Sequence, residues 1–367
     1  MASTKKTKPD PTIAARIARC REAMAKGNIG AYLITQHMDS YYLTGFTGED
    51  SAILITPRAV HVISDSRFEE AIGDEIPWAR KHLRKFLLTD EIGKVCRKLK
   101  LGRLAIQPDG MTVETQAALR KQVKPTRIVN APPITNEMRK SKDEQELKAL
   151  DHAIAVAQDA FVATCQSIRP GQTEREMAAR LEYEMRMRGA SGRAFETIVA
   201  EGANASHPHA HAGDRQVKKG SAILFDWGAV VGFYRSDLTR CVFVDSIPSR
   251  IREIYKIVLD AQMAGIEAIR PGERMCDVDA VARNLIKKAG YGKHFGHGLG
   301  HGLGLDVHEA PSLSWRSKEP LAPGMVVTVE PGIYLPGVGG VRIEDDVLVT
   351  ETGYRVLSDL KKDLDSA

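Results

Sequence analysis

Cysteine is scarce in this 367-residue chain, and none of the five present (Cys20, Cys96, Cys165, Cys241 and Cys276) forms a Cys-x-x-Cys pair. A scattered, odd set excludes a disulfide framework and a cysteine zinc site, and fits reduced thiols in a cytoplasmic protein. Long apolar runs are also missing, and the polar, basic start MASTKKTKPDP has no apolar stretch behind it, so neither a membrane span nor a secretory signal is expected. Charge of one sign is barely in excess: 52 Lys and Arg against 47 Asp and Glu leave +5, which provides no footprint for nucleic acid. There is no phosphate loop, dinucleotide fingerprint or GxSxG nucleophile elbow, and the glycines from Gly296 to Gly304 are evenly spaced by two. His308 and Glu309 begin an HE pair, but Ser312 stands where a single-zinc HExxH helix needs its second histidine.

What is present is an ordinary globular composition, 43% hydrophobic and 27% charged, on a chain long enough for two domains with separate cores. Residues 1–11 are expected to form a disordered tail. Residues 12–130 alternate helical and strand patterns and predict an α/β domain with a mostly buried sheet. Its helices are expected from Ile13, near Asp90–Leu99 and over Val113–Gln122, and its strands at Ala31–Thr35, Ala52–Thr56, Val60–Ser64, Leu104–Ile106 and Arg127–Val129. Pro132 and Pro133 mark a linker over 131–141, leaving 142–360 as a second domain.

That second domain opens with Ser141 and Glu144 spaced as a capping box, followed by apolar residues at helical steps from Leu147 to Ile168. The helix ends at IRPG, Ile168–Gly171, and Thr173 with Glu176 caps another. The same phrase returns at Ile269–Gly272, 101 residues later, between two further amphipathic helices and ahead of strand-like segments. A four-residue turn can recur by chance, but the flanking helices match as well. The repeat therefore predicts two related halves packed about a pseudo-twofold axis, with a site between them.

The stretch His294–Pro311, HFGHGLGHGLGLDVHEAP, packs four histidines, five glycines and two carboxylates into eighteen residues. Its glycines are expected to let the backbone take positive φ and lie close to whatever the imidazoles contact. Alone, it reads as a His-rich surface loop. Carboxylates elsewhere change that. Asp226 sits late in the apolar strand AILFDWGA, and Asp237 starts the strand returning from the turn at Gly232, so a hairpin can bring both to one face. Glu330 closes MVVTVE, and Glu344 shares a strand face with Arg342 while Val341 and Ile343 take the other. One such acid is an ordinary strand end. Four of them beside a histidine loop need pairing or metal, and four carboxylates with an imidazole suit two hard or borderline divalent cations, which favours metal-assisted hydrolysis of an amide or ester.

The segments FDWGA, YRSDLTR, GHGLGHGLGLDVHEAP, TVEPGIY and VRIEDD resemble the signatures of the pita-bread metallopeptidases, in particular the proline-selective Xaa-Pro aminopeptidases and Xaa-Pro dipeptidases. The resemblance is strong over 142–360, and the part before it is similar to the creatinase-type N-terminal domain. It implies an α/β (α+β) chain ending in a pseudo-twofold catalytic domain, with Asp226, Asp237, His301, Glu330 and Glu344 as metal ligands. Asp237 and Glu344 would bridge two ions, Asp226 would hold one, and His301 with Glu330 the other. It also implies that Glu330 shuttles the proton, that His209 and His308 contact the substrate near the scissile bond, that His297 is a further pocket histidine, and that Arg342 orients the site or meets the substrate. His207 and His211 receive no role. Manganese is favoured as the metal, with cobalt, zinc and iron fitting the same donors. A cytoplasmic homodimer is implied, in which the N-terminal domain of one subunit borders the partner's cleft.

Dipeptidases of this family often carry an arginine soon after the HE-x-P segment, where it holds the free carboxylate of the substrate. Here those positions read Ser312, Leu313 and Ser314. The departure favours an aminopeptidase acting on peptides with proline in second position, with Xaa-Pro dipeptidase as the alternative. A non-hydrolytic binding module of the same fold is the alternative from another class.

Overall fold

The computed structural model describes residues 8–362. Most of the tail expected over 1–11 lies outside the described residues, but its end is helical. Asp10 caps α1 (Pro11–Lys26) by accepting from Thr12 N at 2.8 Å, and Pro11 occupies the first helical turn, where its missing N–H is not needed. The chain divides into two compact units between Met138 and Arg139.

The first unit is a six-stranded sheet in the order β4-β3-β2-β1-β5-β6. Its strands are β1 (Tyr32–Ile34), β2 (Ala52–Ile55), β3 (Val60–Ser64), β4 (Arg80–Leu83), β5 (Arg103–Ile106) and β6 (Arg127–Asn130). Besides α1, it contains α2 (His37–Thr44), α3 (Glu69–Glu75), α4 (Leu88–Lys98), α5 (Val113–Gln122) and most of α6 (Ile134–Arg139). Leu33, Leu54, Ile63, Val95 and Leu104 share its core. The sequence pattern had not indicated α2 or β4. The apolar residues of α2 form no clean stripe, and β4, at the edge of the sheet, reads RKHL. The expected linker, 131–141, contains α6, whose Ile134 and Met138 are buried, and the division between units falls inside that stretch.

In the second unit, α7 (Glu144–Cys165) starts two residues later than the Ser141–Glu144 spacing predicted. Lys142 N donates to Gly324 O at 2.8 Å and Ser141 bridges to Met325, so both residues are extended, and Asp143 forms the capping box with Glu146. The expected Thr173–Glu176 box does cap α8 (Glu174–Met187). Then come β7 (Gly192–Arg193), β8 (Ile198–Glu201), β9 (Ala222–Trp227), β10 (Ala229–Val231), β11 (Tyr234–Arg235) and β12 (Leu238–Phe243). The second half repeats the plan with α9 (Ser249–Glu267), α10 (Met275–Lys288), β13 (Gly300–Gly302), β14 (Glu309–Leu313), β15 (Val326–Val329), β16 (Gly332–Leu335), β17 (Gly339–Arg342), β18 (Asp345–Val349) and β19 (Tyr354–Val356).

Matched hydrogen bonds show the duplication. Gly171 N donates to Val217 O at 2.9 Å and Gly272 N to Leu321 O at 2.8 Å, with the bridge Thr173–Gln216 answered by Arg274–Pro320. Both turn glycines have positive φ, +94° and +90°, as do Gly189 and Gly290 after the second helix of each half. Each half also has its own core. Phe161 stacks on Trp227 at 4.2 Å in the first, while Val258, Ala282, Val327 and Val341 meet in the second. Strands β8, β9 and β12 form one sheet, and β14-β13-β15-β18-β19 another. An isolated bridge between Thr239 and Glu344 joins the two at the seam. Among the described residues no helix is long and apolar enough to cross a membrane.

The glycines of the histidine stretch have a different purpose from the one expected. None of Gly296, Gly298, Gly300, Gly302 and Gly304 has positive φ. At two of them backbone approaches closely instead: a Cβ on Gly300 would lie 1.9 Å from Thr328 O, and one on Gly302 2.5 Å from Ala310 O. Gly300→Ala must therefore part β13 from β15. It is expected to lower the unfolding free energy by about 1–3 kcal/mol, the usual cost of overpacking, as read from urea denaturation of the metal-free protein. An unchanged midpoint would show that the two strands are not tightly apposed.

Candidate metal centre

Strand pairing assembles the acids. In the β9–β12 ladder Asp226 lies opposite Thr239 and Trp227 opposite Leu238, which places Asp237 just before β12 on the same side as Asp226. Glu330 follows β15, its N–H donating to Leu299 O at 2.8 Å, and Glu344 stands between β17 and β18 with Thr239 Oγ1 donating to it at 2.7 Å. Val341 and Ile343 point into the core as the alternation predicted. Donor atoms of Asp226, Asp237 and Glu344 come within 4.8 Å of one another, as do those of His301, Glu330 and Glu344, and of Asp237, His301 and His308.

Burial makes this cluster costly without a cation. It raises the Asp237 and Glu344 carboxyls well above their ordinary range, and the neighbouring acids raise them further. Glu330 is pushed up to about 8, again chiefly by burial. Asp226 Oδ1 is buried without a hydrogen-bond partner. His301 completes the set. Its Nδ1 donates to Gly302 O at 3.1 Å, leaving Nε2 as a bare lone pair 3.4 Å from Glu330 and 3.6 Å from Asp237. Burial holds this imidazole's pKa at about 4, so Nε2 carries no proton at neutral pH. In the metal-free protein the raised Glu330 carboxyl keeps a proton near this lone pair, and a divalent cation replacing it would be held by the lone pair and the carboxylate oxygens together. The five residues therefore fit divalent metal, and the backbone carbonyl fixes the tautomer that ligation needs.

Arg342 is the cation already present. It is 3% exposed and reaches Asp226 Oδ2 directly, Tyr334 Oη at 2.8 Å and Thr239 Oγ1 at 3.1 Å. Burial works against its charge, but Tyr334 and the surrounding acids more than offset this and keep it protonated. Tyr334 passes the order on to His297. Its hydroxyl accepts from Arg342 and so donates to His297 Nε2 at 2.9 Å, while His297 Nδ1 donates to Gly298 O at 2.9 Å. Both nitrogens of His297 are thus engaged, and burial puts its pKa at about 4. The sequence analysis missed Tyr334, although a signal was there. In the β16–β17 hairpin Gly332 lies opposite Arg342 and Gly340 opposite Tyr334, so each large side chain faces a glycine that leaves room for it.

The cluster opens into a cavity of about 750 Å³, whose wall includes His209, His297, His308, Ser312 and Arg342. His209 and His308 are exposed where they line it. His211 also lines it, whereas exposed His207 turns its Nδ1 to Asn204 O at 3.2 Å. Phe195 and Ile198, not singled out from the sequence, supply an apolar wall. Every sequence-selected site residue therefore borders this one space.

Comparison with known proteins agrees with this arrangement. Residues 148–351 match metallopeptidase family M24, and residues 16–141 match the creatinase/prolidase N-terminal domain. An Xaa-Pro dipeptidase of Pyrococcus horikoshii is 37% identical over 95% of this chain and 98% of its own length. Among solved structures, an Xaa-Pro dipeptidase from Bacillus anthracis is 36% identical with a TM-score of 0.93, covering 96% of this chain and 99% of that one. An X-Pro aminopeptidase from Thermotoga maritima is also 36% identical, with a TM-score of 0.88 over 93% of this chain and 99% of that one.

The raised Glu330 has a pH consequence. A carboxyl that binds its proton more tightly in the folded state stabilises the metal-free protein below its unfolded pKa of 4.5. That contribution is lost as pH rises towards about 8. Relative to Glu330→Gln, the metal-free wild type should lose Tm between about pH 5 and 8. Saturating manganese should reverse the order at neutral pH, because only the wild type keeps all five donors. A Tm difference that is flat with pH would contradict a buried, cation-seeking Glu330.

Proposed function

Because the chain belongs to metallopeptidase family M24 and carries a creatinase/prolidase N-terminal domain, we propose that it is an Xaa-Pro dipeptidase that hydrolyses the bond before proline. The observation that carries this reading is the convergence of Asp226, Asp237, His301, Glu330 and Glu344 on one cavity in a chain that matches an Xaa-Pro dipeptidase over nearly its whole length. These five residues would hold two divalent cations, manganese before cobalt, zinc or iron, and the pair would polarise the scissile carbonyl and acidify water. Glu330 takes a proton from the attacking water and returns it to the proline nitrogen as the bond breaks, a task suited to a carboxylate at the edge of the cavity beside His301. His209 and His308 donate to the amide oxygen as its charge develops. His297 differs from them. With both nitrogens engaged, it keeps Tyr334 and Arg342 in register and holds Asp226 through Arg342.

Proline makes a dedicated site necessary, because its nitrogen has no N–H and its ring fixes φ, so a peptide of this kind cannot be gripped as an ordinary extended strand. Phe195 and Ile198 offer the ring an apolar wall. The names of the relatives favour dipeptidase over the aminopeptidase activity expected from the sequence. Ser312 favours the aminopeptidase reading, since no arginine stands there to meet a free carboxylate. We place the working protein in the cytoplasm, as a homodimer.

Release of the N-terminal residue from Ala-Pro and Ala-Pro-Ala decides between the two. With added manganese, kcat/KM on Ala-Pro is expected to exceed that on the tripeptide, chelator should abolish both, and Asp237→Ala should cost more than the roughly 10–100-fold typical of losing an outer-shell partner. Preference for the tripeptide would make the protein an aminopeptidase. Cleavage of neither by metal-loaded protein would refute the proline reading.

A further inference from the structure

In each half of the duplication a buried carboxylate outside the cleft opens onto a loop that carries a cleft histidine. Glu174 opens α8 and is fully buried. It accepts from Glu201 N at 2.7 Å, Asn204 Nδ2 at 2.9 Å and Gly213 N at 2.9 Å. These donors bracket the segment 201–213, which carries His209. In the other half, fully buried Asp279 of α10 accepts from Leu299 N at 3.0 Å and from Arg283 through both Nε, at 2.7 Å, and Nη2, at 2.8 Å. Arg283 donates onward to Phe295 O at 3.2 Å and His297 O at 2.7 Å, its guanidinium lying between the rings of Phe295 and Trp315. Those contacts bracket 295–299, which carries His297 and leads into His301. Neither carboxylate lines the cavity.

A buried carboxylate is tolerated only while its oxygens are satisfied; loop groups do this for Glu174, and Leu299 N together with Arg283 of the same helix does it for Asp279. Glu174 takes donors from both ends of its loop, whereas Asp279 holds Leu299 directly and the Phe295–His297 end through Arg283, so releasing either loop would strip a partner from a desolvated charge. The helix that follows IRPG provides the tether in both halves.

We propose that Glu174 and Asp279 are matched positioning residues, one in each half, that hold His209 and His297 respectively at the walls of the shared cleft. The kinetic side of this inference rests on the peptidase reading above. An amide cannot replace either group, because its NH2 would face Gly213 N–H or Glu201 N–H in one half and Arg283 or Leu299 N–H in the other.

The test uses full-length protein labelled with ¹³C-histidine and loaded with zinc, a diamagnetic ion, its imidazole signals assigned from single His→Ala variants. Glu174→Gln should shift the His209 signal and leave His297 in place, and Asp279→Asn should do the opposite. On Ala-Pro with manganese, each variant should lose on the order of 10- to 100-fold in kcat/KM with metal content unchanged. Glu174→Gln should then cost nothing further in a His209→Ala background but its full effect in His297→Ala, with Asp279→Asn behaving in the reverse way. If the amide variants do not fold, Asn204→Ala and Arg283→Lys each weaken one tether and should give the same selective pattern with smaller shifts. Equal movement of both histidines, or losses that add in both backgrounds, would reduce the two acids to general scaffolding and overturn the proposal. Should the wild type cleave no proline peptide, the peptidase reading fails, and the imidazole signals still decide the positioning claim.

Discussion

Mutual repulsion among Asp226, Asp237, Glu330 and Glu344, crowded and buried at one cleft, is the constraint on which the rest of the catalytic unit depends. Burial of even one uncompensated carboxylate is costly, and four require cations from several directions. Arg342 meets them from within. Behind the cleft, the run Glu344-Asp345-Asp346 shows how neighbouring acids are treated differently. Glu344 turns into the site. Asp345, fully buried, accepts from Arg240 at 2.6 Å, Lys362 at 2.6 Å, Gln262 at 2.7 Å and Ser358 at 2.6 Å. Burial outweighs those cations as a single effect, yet together they hold its carboxyl below the ordinary range. Asp346, with one oxygen unpartnered, is instead raised well above it. The charge still uncompensated inside the cleft is what two divalent ions would neutralise.

The duplication explains where the cleft lies. Each half builds a separate core from its two long helices and its own sheet, so each half buries its own apolar surface. What neither half provides is a complete donor set. Asp226 and Asp237 come from the hairpin of the first, and His301, Glu330 and Glu344 from the strands of the second. Ala222 and Phe243 of the first half pack into the second half's core, so the seam is itself apolar and packed.

The histidines divide by their hydrogen bonds. His301 and His297 each spend Nδ1 on a backbone carbonyl one residue ahead, which directs Nε2 in a known direction, while burial keeps both rings neutral. In His301 that direction is the acid cluster, and in His297 it is Tyr334. His209 and His308 remain exposed to the cavity. Four histidines of one residue type thus differ in chemistry through what their second nitrogen meets.

Much of the fold was legible in local pattern. Helix α5, strands β2 and β3, the Thr173 cap and the repeated IRPG turn all follow from periodicity and turn chemistry that act over a few residues. Acids at the ends of apolar strands pointed to the cleft, while the choice of His301 among its neighbours came from family resemblance, because spacing alone does not distinguish them. Local pattern failed where long-range partners intervene: Ser141 and Lys142 were drawn out of α7 by Gly324 and Met325, and α2 and β4 lack a clean stripe. The histidine-loop glycines turned out to admit Thr328 and Ala310 rather than to permit positive φ. By itself, then, the sequence determined the elements, the twofold plan and the stock of acids, because these arise between residues close along the chain. Only the tertiary structure decided which oxygen meets which partner. Asp226 and Arg342 stand 116 positions apart, and nothing short of the packed seam brings them into contact.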